Sequence, residues 1–454
     1  MNDKLDGWTW KSADTEAEAE VPPRSERQWV VPRRTPAESA RATAAWFRAK
    51  WIKLTTVLVV LALAVGGWQT YTYLTRYHEQ MSGAHGDFPA ALGSTAPKQP
   101  GRVPARLDTS AVAIVGGLLF KEQDDGITAD NVHTGKTFWH YGREDIALIS
   151  EWISTDTAFL WYDDGLAVAV SLRSGKPSWH ARIPEGRRNG GNRIWLGGGT
   201  VFVSQDDFLT ALSADSGKKL WSVAPPQGCK TWDPRALVSL KGVEAVDAND
   251  CSQAPEVLFG VDRATGRSRW HVEEDAAGYR RVGDHTMATL MVGGTLATTD
   301  VSGAELRTHE TPLSHDMSLR SAGNGTLLLG SDEYRSLTAR QVSDNSSRAL
   351  WTRKAAKGLE FGVPRTADGR VYVPEYRTPM GIRKDGSHAG AYLLVLDART
   401  GRELHRAPLP ASLYAQAEDL ASDQMAVVEA RDGIVMVAWI GFINNFANQV
   451  ILSD

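Results

Sequence analysis

Residues 208–221 read FLTALSADSGKKLW: an apolar run ending at Leu212, a short polar residue, two variable positions, Ser216-Gly217, a base, and Trp221 four residues past the glycine. The same order returns at 131–139 (NVHTGKTFW), 171–179 (SLRSGKPSW), 257–270 (VLFGVDRATGRSRW) and 392–404 (YLLVLDARTGREL). Weaker copies stand at 299–306 (TDVSGAEL) and 342–351 (VSDNSSRALW). The glycine position falls at Gly135, Gly175, Gly217, Gly266, Gly303, Ser347 and Gly401, with intervals of about 37 to 54 residues. Four residues before it stand Asn131, Ser171, Ser213, Asp262, Thr299, Ser343 and Asp397, all short side chains able to bond nearby backbone. The motif is therefore a tight turn between two strands, and glycine supplies the positive φ that such a turn requires. Ser347 marks an irregular unit.

Between motifs, stretches such as NRIWLGGGTVFVSQDDFLTALSAD hold runs of strand-forming residues parted by Gly and Asp-Asp pairs. Each interval then contains one four-stranded antiparallel blade, and the fold class is all-β: a propeller of seven to eight blades, eight preferred. Trp139, Trp179, Trp221, Trp270 and Trp351 recur four residues past the glycine position, with Arg307 and His405 as departures. A ring there would bury a large apolar area at the seam between neighbouring blades. The chain ends in the start of an eighth motif that stops before its turn, which would leave an exposed edge. Residues near Arg102 to Thr109 are expected to supply the missing strand.

Upstream of the repeats the composition changes. Leu54 to Leu74 is a run of about 21 uncharged residues, enough to cross a hydrocarbon core as one transmembrane helix. The flank from Arg24 to Lys53 carries mainly bases, so the positive-inside rule keeps the N-terminus in the cytoplasm. The expected organisation is a disordered cytoplasmic tail over 1–36, a basic juxtamembrane stem over 37–53, the membrane helix over 54–74, an extracytoplasmic linker over 75–104 and the propeller over 105–454. The corresponding location is the plasma membrane, single-pass, with the propeller extracellular or periplasmic. The anchor touches membrane lipid. Lys and Arg number 50 against 54 Asp and Glu, a balance that offers no field for nucleic acid.

The repeat resembles the pyrroloquinoline quinone (PQQ) repeat, L-x-A-L-D-A-x-T-G-K-x-x-W, over about Thr109 to Asp454. That family includes periplasmic quinoprotein dehydrogenases and noncatalytic propellers similar to the lipoprotein of the outer-membrane β-barrel assembly machinery. In both branches the resemblance implies that the motif Trp docks blade against blade. A dehydrogenase of the family would hold a quinone and calcium and place a disulfide between adjacent cysteines. This chain has two cysteines, Cys229 and Cys251, which are not adjacent. Outside the cytoplasm they read as a disulfide staple contributing about 3 kcal/mol. The Trp-His pairs at 139–140, 179–180 and 270–271 recur around an outer wall, too far apart to share one ion. Asp-Asp pairs recur at blade turns as hairpin chemistry. No phosphate loop or nucleophile elbow is present.

The expected function is thus a noncatalytic protein-binding scaffold of the cell envelope, with no cofactor and with an envelope or secreted protein as partner. The alternatives are a PQQ- and calcium-dependent oxidoreductase and a ligand sensor signalling to the tail. The two longest intervals, the cysteine insertion and the stretch YRTPMGIRKDGSHAGAY with Arg377, Arg383, Lys384 and His388, are the candidate partner loops.

Overall fold

The computed structural model describes residues 50, 51, 55, 59 and 77–454, apart from 108–110, 184–191, 206, 250, 253–255, 273–277, 292, 303–305, 315, 324, 332–333, 344–345, 378–389, 411–412, 414–423 and 441–445. The tail, most of the stem and nearly all of the proposed membrane helix lie outside the described residues. Among the described residues no helix is long and apolar enough to cross a membrane. Two units are separated at Arg76, and the second, Tyr77–Asp454, is the propeller body.

Eight antiparallel sheets make eight blades. Blade 3 shows the pattern: Arg193–Gly197, Thr200–Gln205, Phe208–Ser213 and Lys219–Val223, side by side in chain order. The first strands of successive blades touch one another, so they form the inner wall and the fourth strands the outer rim. Middle strands are buried along their whole length, as in Thr200–Gln205, because each blade is covered on both faces by its neighbours. Such strands lose the alternating pattern and read as continuous apolar runs. In blade 7 the inner wall is split, Glu360–Phe361 and Arg365–Ala367 both pairing with Arg370–Tyr376.

Closure follows the expectation drawn from the truncated eighth motif. Gln424–Arg431, Ile434–Ile440 and Phe446–Ser453 supply three strands of blade 8, and Arg102–Leu107 supplies the fourth, pairing Ala105 with Ile451 and Leu107 with Gln449. The edge left by the C-terminus is thereby covered.

The stretch read as a linker behaves differently from a tether. Glu79–Ser82 adds a fifth, outermost strand to blade 1 by pairing with Thr137–Arg143. Residues 83–101 then form a strap over the first hairpins of three blades. The Gly117 N–H donates to Pro89 O in blade 1, Gly93 N–H and Asp432 O pair in blade 8, and Ala96 N–H donates to Asp368 Oδ2 (2.6 Å) in blade 7. Tyr372 Oη donates to Pro97 O (2.6 Å), and Asp454 Oδ1 accepts from Gln99 N–H (2.6 Å). Apart from the Gly117 tie, these reach across 272 to 355 positions of sequence. Neither periodicity nor composition could reveal them.

In blade 5 the turn register also differs from the sequence reading. The strand Thr295–Asp300 ends at Asp300, whose Oδ1 accepts from Ser302 N–H as Asp262 Oδ1 does from Ala264 N–H. Asp300 rather than Thr299 thus holds the capping position, one residue later than the glycine count implied. In blade 6 the hairpin is longer than elsewhere, pairing Val342 with Ser347 and Ser343 with Ser346, which accounts for a serine at the glycine position.

Candidate partner-binding face

Four antiparallel strands per blade divide the turns between two faces. The first and second hairpin turns of the motif type, which join strands one to two and three to four, emerge on one face, here the motif face. Turns between strands two and three, and the connections between blades, emerge on the other, the connection face.

The motif face is built for packing. Gly135, Gly175, Gly217, Gly266 and Gly401 all have positive φ, whereas Gly303 lies outside the described residues. Trp139 presses on Gly175 of blade 2, Trp179 on Gly217 of blade 3, Trp221 on Gly266 of blade 4 and Trp351 on Gly401 of blade 7. Each indole N–H donates to the next blade: Trp139 to Leu172 O (2.7 Å), Trp179 to Ala214 O (2.7 Å), Trp221 to Arg263 O (2.9 Å) and Trp351 to Ala398 O (2.9 Å). At Gly175 (φ 66°) a Cβ would stand 2.7 Å from the Trp139 side chain, so both the turn and the ring require glycine. Trp270 is buried, yet its indole N–H has no partner among the described residues.

The connection face carries the two long insertions. Cys229, in the connection from blade 3 to blade 4, and Cys251, between strands two and three of blade 4, are joined by a disulfide. Beneath it lies a cavity of about 140 Å³ lined by Pro226, the two cysteines, Val257, Phe259 and His271. The other insertion leaves blade 7 after Tyr376 and returns at Tyr392. Arg377 is at its root, while Arg383, Lys384 and His388 lie outside the described residues. The root is braced by charge. Buried Glu375 accepts from Ala356 N–H (2.9 Å) and Arg406 Nη1 (2.8 Å). Arg406 also bonds Glu403, which raises the guanidinium pKa and holds the Glu403 carboxyl below its ordinary range; Arg353 bonds Glu403 too.

A third feature, which the sequence did not disclose, ends at this face beside blades 1 and 2. Tyr141 Oη donates to Glu79 Oε1 (2.7 Å), His180 Nε2 pairs with the same oxygen, and Tyr77 stacks on the His180 ring at 4.1 Å. Buried Arg143 makes a bidentate pair with Asp164 (2.6 and 3.0 Å), donates to Tyr77 O (3.0 Å) and lies over the Tyr162 ring. Burial alone would raise both carboxyls, but hydrogen bonds from His180 and Tyr141 leave Glu79, and those from Arg143 leave Asp164, below the ordinary range. Groups depressed in the folded state stabilise it fully above their unfolded pKa and lose that contribution as pH falls through the folded one. Below about pH 4.5, the unperturbed glutamate value, the strand Glu79–Ser82 should therefore begin to detach from blade 1. Amide exchange at residues 79–82 followed from pH 6 to about pH 3 checks this, and equal protection across that range would show that the ion pairs do not hold the strand.

The remaining Trp-His histidines do not converge. His140 bonds Thr128 Oγ1 (3.2 Å) in blade 1 and His271 stacks on Phe259 in blade 4. Among the described residues no cluster of His, Cys, Asp or Glu is placed to hold a metal ion.

Residues 194–320 match the PQQ-repeat family model described as outer membrane protein assembly factor BamB, so the resemblance drawn from the motif is shown for that segment. No curated protein sequence matches the chain. Among solved structures, the computationally designed Ika8 protein is 12% identical, with a TM-score of 0.51, covering 81% of this chain and 100% of its own. BamB from Moraxella catarrhalis is 13% identical over 77% of this chain and 100% of its own, with a TM-score of 0.43. Quinohemoprotein alcohol dehydrogenase from Comamonas testosteroni is 12% identical over 83% and 76%, with a TM-score of 0.42. At 12% identity the likeness to Ika8 is one of fold.

Proposed function

We propose that this chain is a membrane-anchored, extracytoplasmic and noncatalytic scaffold that binds an envelope or secreted protein through its connection face. The observation that carries the reading is that both long insertions leave the frame on that face, one tied by a disulfide and the other rooted beside the Glu375–Arg406 pair. Loops held on a rigid frame are where recognition residues concentrate. The family description, an assembly factor, supports a protein as the ligand. A basic loop with Arg383, Lys384 and His388 suits an acidic partner surface, since charge complementarity speeds and orients encounter.

Replacing Thr378 to His388 with a short Gly-Ser turn should preserve the unfolding midpoint and abolish capture of the partner when the full-length chain is used in pull-downs from native membranes. A variant that folds and still retrieves every partner removes this loop from the interface. For the location, protease added to intact, wall-stripped cells should digest the propeller, because the basic flank precedes Leu54. Protection of the chain beyond Arg76 would overturn the topology.

A further inference from the structure

Blade 5 departs from the packing rule on the motif face, and it does so at a cavity. In blades 1, 2, 3, 4 and 6 the docking tryptophan stands opposite a small residue of the third strand: Ala129, Ala169, Ala211, Gly260 and Ala339. In blade 5 the corresponding place, opposite Thr298, is held by His309, which is exposed. The seam from blade 5 to blade 6 therefore has no indole; in blade 7 a histidine, His405, holds the same place opposite Val395, but it is half-buried where His309 is exposed. On the receiving side stands Val342. Its N–H donates to Gly325 O of its own blade's first hairpin, as those of Leu172, Ala214, Arg263 and Ala398 do to Asp156, Gly199, Gly242 and Gly369. Those four residues are the ones whose carbonyls accept an indole N–H. Val342 lines a cleft of about 260 Å³ with Val282, Gly283, Asp284, His285 and Gly325. An engineered cavity of about 150 Å³ takes a benzene ring, so this one has room for a bicyclic side chain.

Another part of the motif face shows that a separate run of chain can lie across first hairpins. Over blade 1 the strap brings Phe88 against Gly116 and edge-on to Phe138, and over blades 8 and 7 it binds the first hairpins through Gly93 and Ala96. Among the described residues the strap reaches no hairpin of blade 5 or blade 6.

We infer that the seam between blades 5 and 6 is a docking slot for the tryptophan side chain of a partner polypeptide lying across the motif face. The aromatic occupant is set by the tryptophans that fill five of the other seams, and the carbonyl of Val342 is the acceptor that its indole N–H would meet. This contact lies on the face opposite the insertions and does not depend on their role.

The probe is the amide of N-acetyl-fluorotryptophan, followed by fluorine NMR with the full-length chain. Its line should broaden in a saturable way, and the matching fluorophenylalanine amide should broaden at least about tenfold more weakly. His309→Trp, which supplies the ring in cis, should raise the thermal midpoint and sharpen the probe line to that of the free amide. Thr286 also lines the cleft, and Thr286→Phe, which narrows it, should sharpen the line as well and keeps the test open if the first variant folds poorly. Absence of broadening, or equal broadening in the wild-type chain and both variants, would overturn the assignment.

Discussion

Trp139→Ala is expected to lower the stability of the propeller by about 3 to 5 kcal/mol, the cost of truncating a fully buried large aromatic. The Trp139 ring has no exposed surface, packs 5.8 Å from Phe120 between centroids and satisfies the Leu172 carbonyl in the next blade. Its removal opens a cavity at a seam that must hold two blades in register. It also strands a carbonyl that no other side chain replaces, a further penalty of about 1 kcal/mol or more. Trp221→Ala should cost less, because that ring is only partly buried. The receiving glycine offers an independent arm. Gly175→Ala must push the Trp139 ring aside, whereas at Gly135 (φ 67°) a Cβ meets nothing within 4 Å and only the left-handed backbone is penalised, by about 1 kcal/mol. Denaturant midpoints should rank Trp139→Ala lowest, then Gly175→Ala, then Gly135→Ala. Equal midpoints for the two glycine variants would show that the seam, as distinct from the turn, contributes nothing.

The ranking also shows how much a repeat reveals. The motif fixed the tryptophan and the glycine as residue types in recurrent positions, and hence the blade count, because one seam geometry imposes one chemistry on every copy. Where the chemistry changes, the pattern misleads. Counting back from Gly303 picked Thr299, although the strand runs one residue further and Asp300 makes the turn's hydrogen bond. His309, the residue that takes the tryptophan's place, could not be found by counting forward from a glycine that is itself out of step. The strap was invisible for another reason. Its residues follow no period, and its ties include backbone N–H groups meeting Asp368, Asp432 and Asp454, which nothing local in the sequence marks as acceptors. The clasp of Glu79, Tyr141 and His180 is equally nonlocal, joining residues 62 and 101 positions apart. The insertions were legible as loops from their length, and their shared face followed only once strand order was known.

Closure by the two ends of the propeller body implies that stability is not shared evenly around the ring. Ile451 sits with no exposed surface in the third strand of blade 8, between Met436 on one side and Ala105 of the closing strand on the other. A proline there removes a ladder hydrogen bond in the interior of a sheet, leaving a buried carbonyl unpaired at about 1 to 3 kcal/mol, and leaves part of the isoleucine's volume empty. Unlike a defect in blade 3, whose neighbours remain joined through the rest of the ring, this one weakens the latch between Arg102–Leu107 and the C-terminal strand. It also loosens the Asp454 contacts to the strap. Ile451→Pro should therefore open the ring locally before it unfolds globally. Limited proteolysis is expected to cut first beside the strands Arg102–Leu107 and Phe446–Ser453, and the freed edge of blade 8 should drive association into larger species on size exclusion. A monomeric variant, cleaved no faster at these sites than the wild-type chain, would mean that the ring is held by its seams alone and that the shared eighth blade is dispensable.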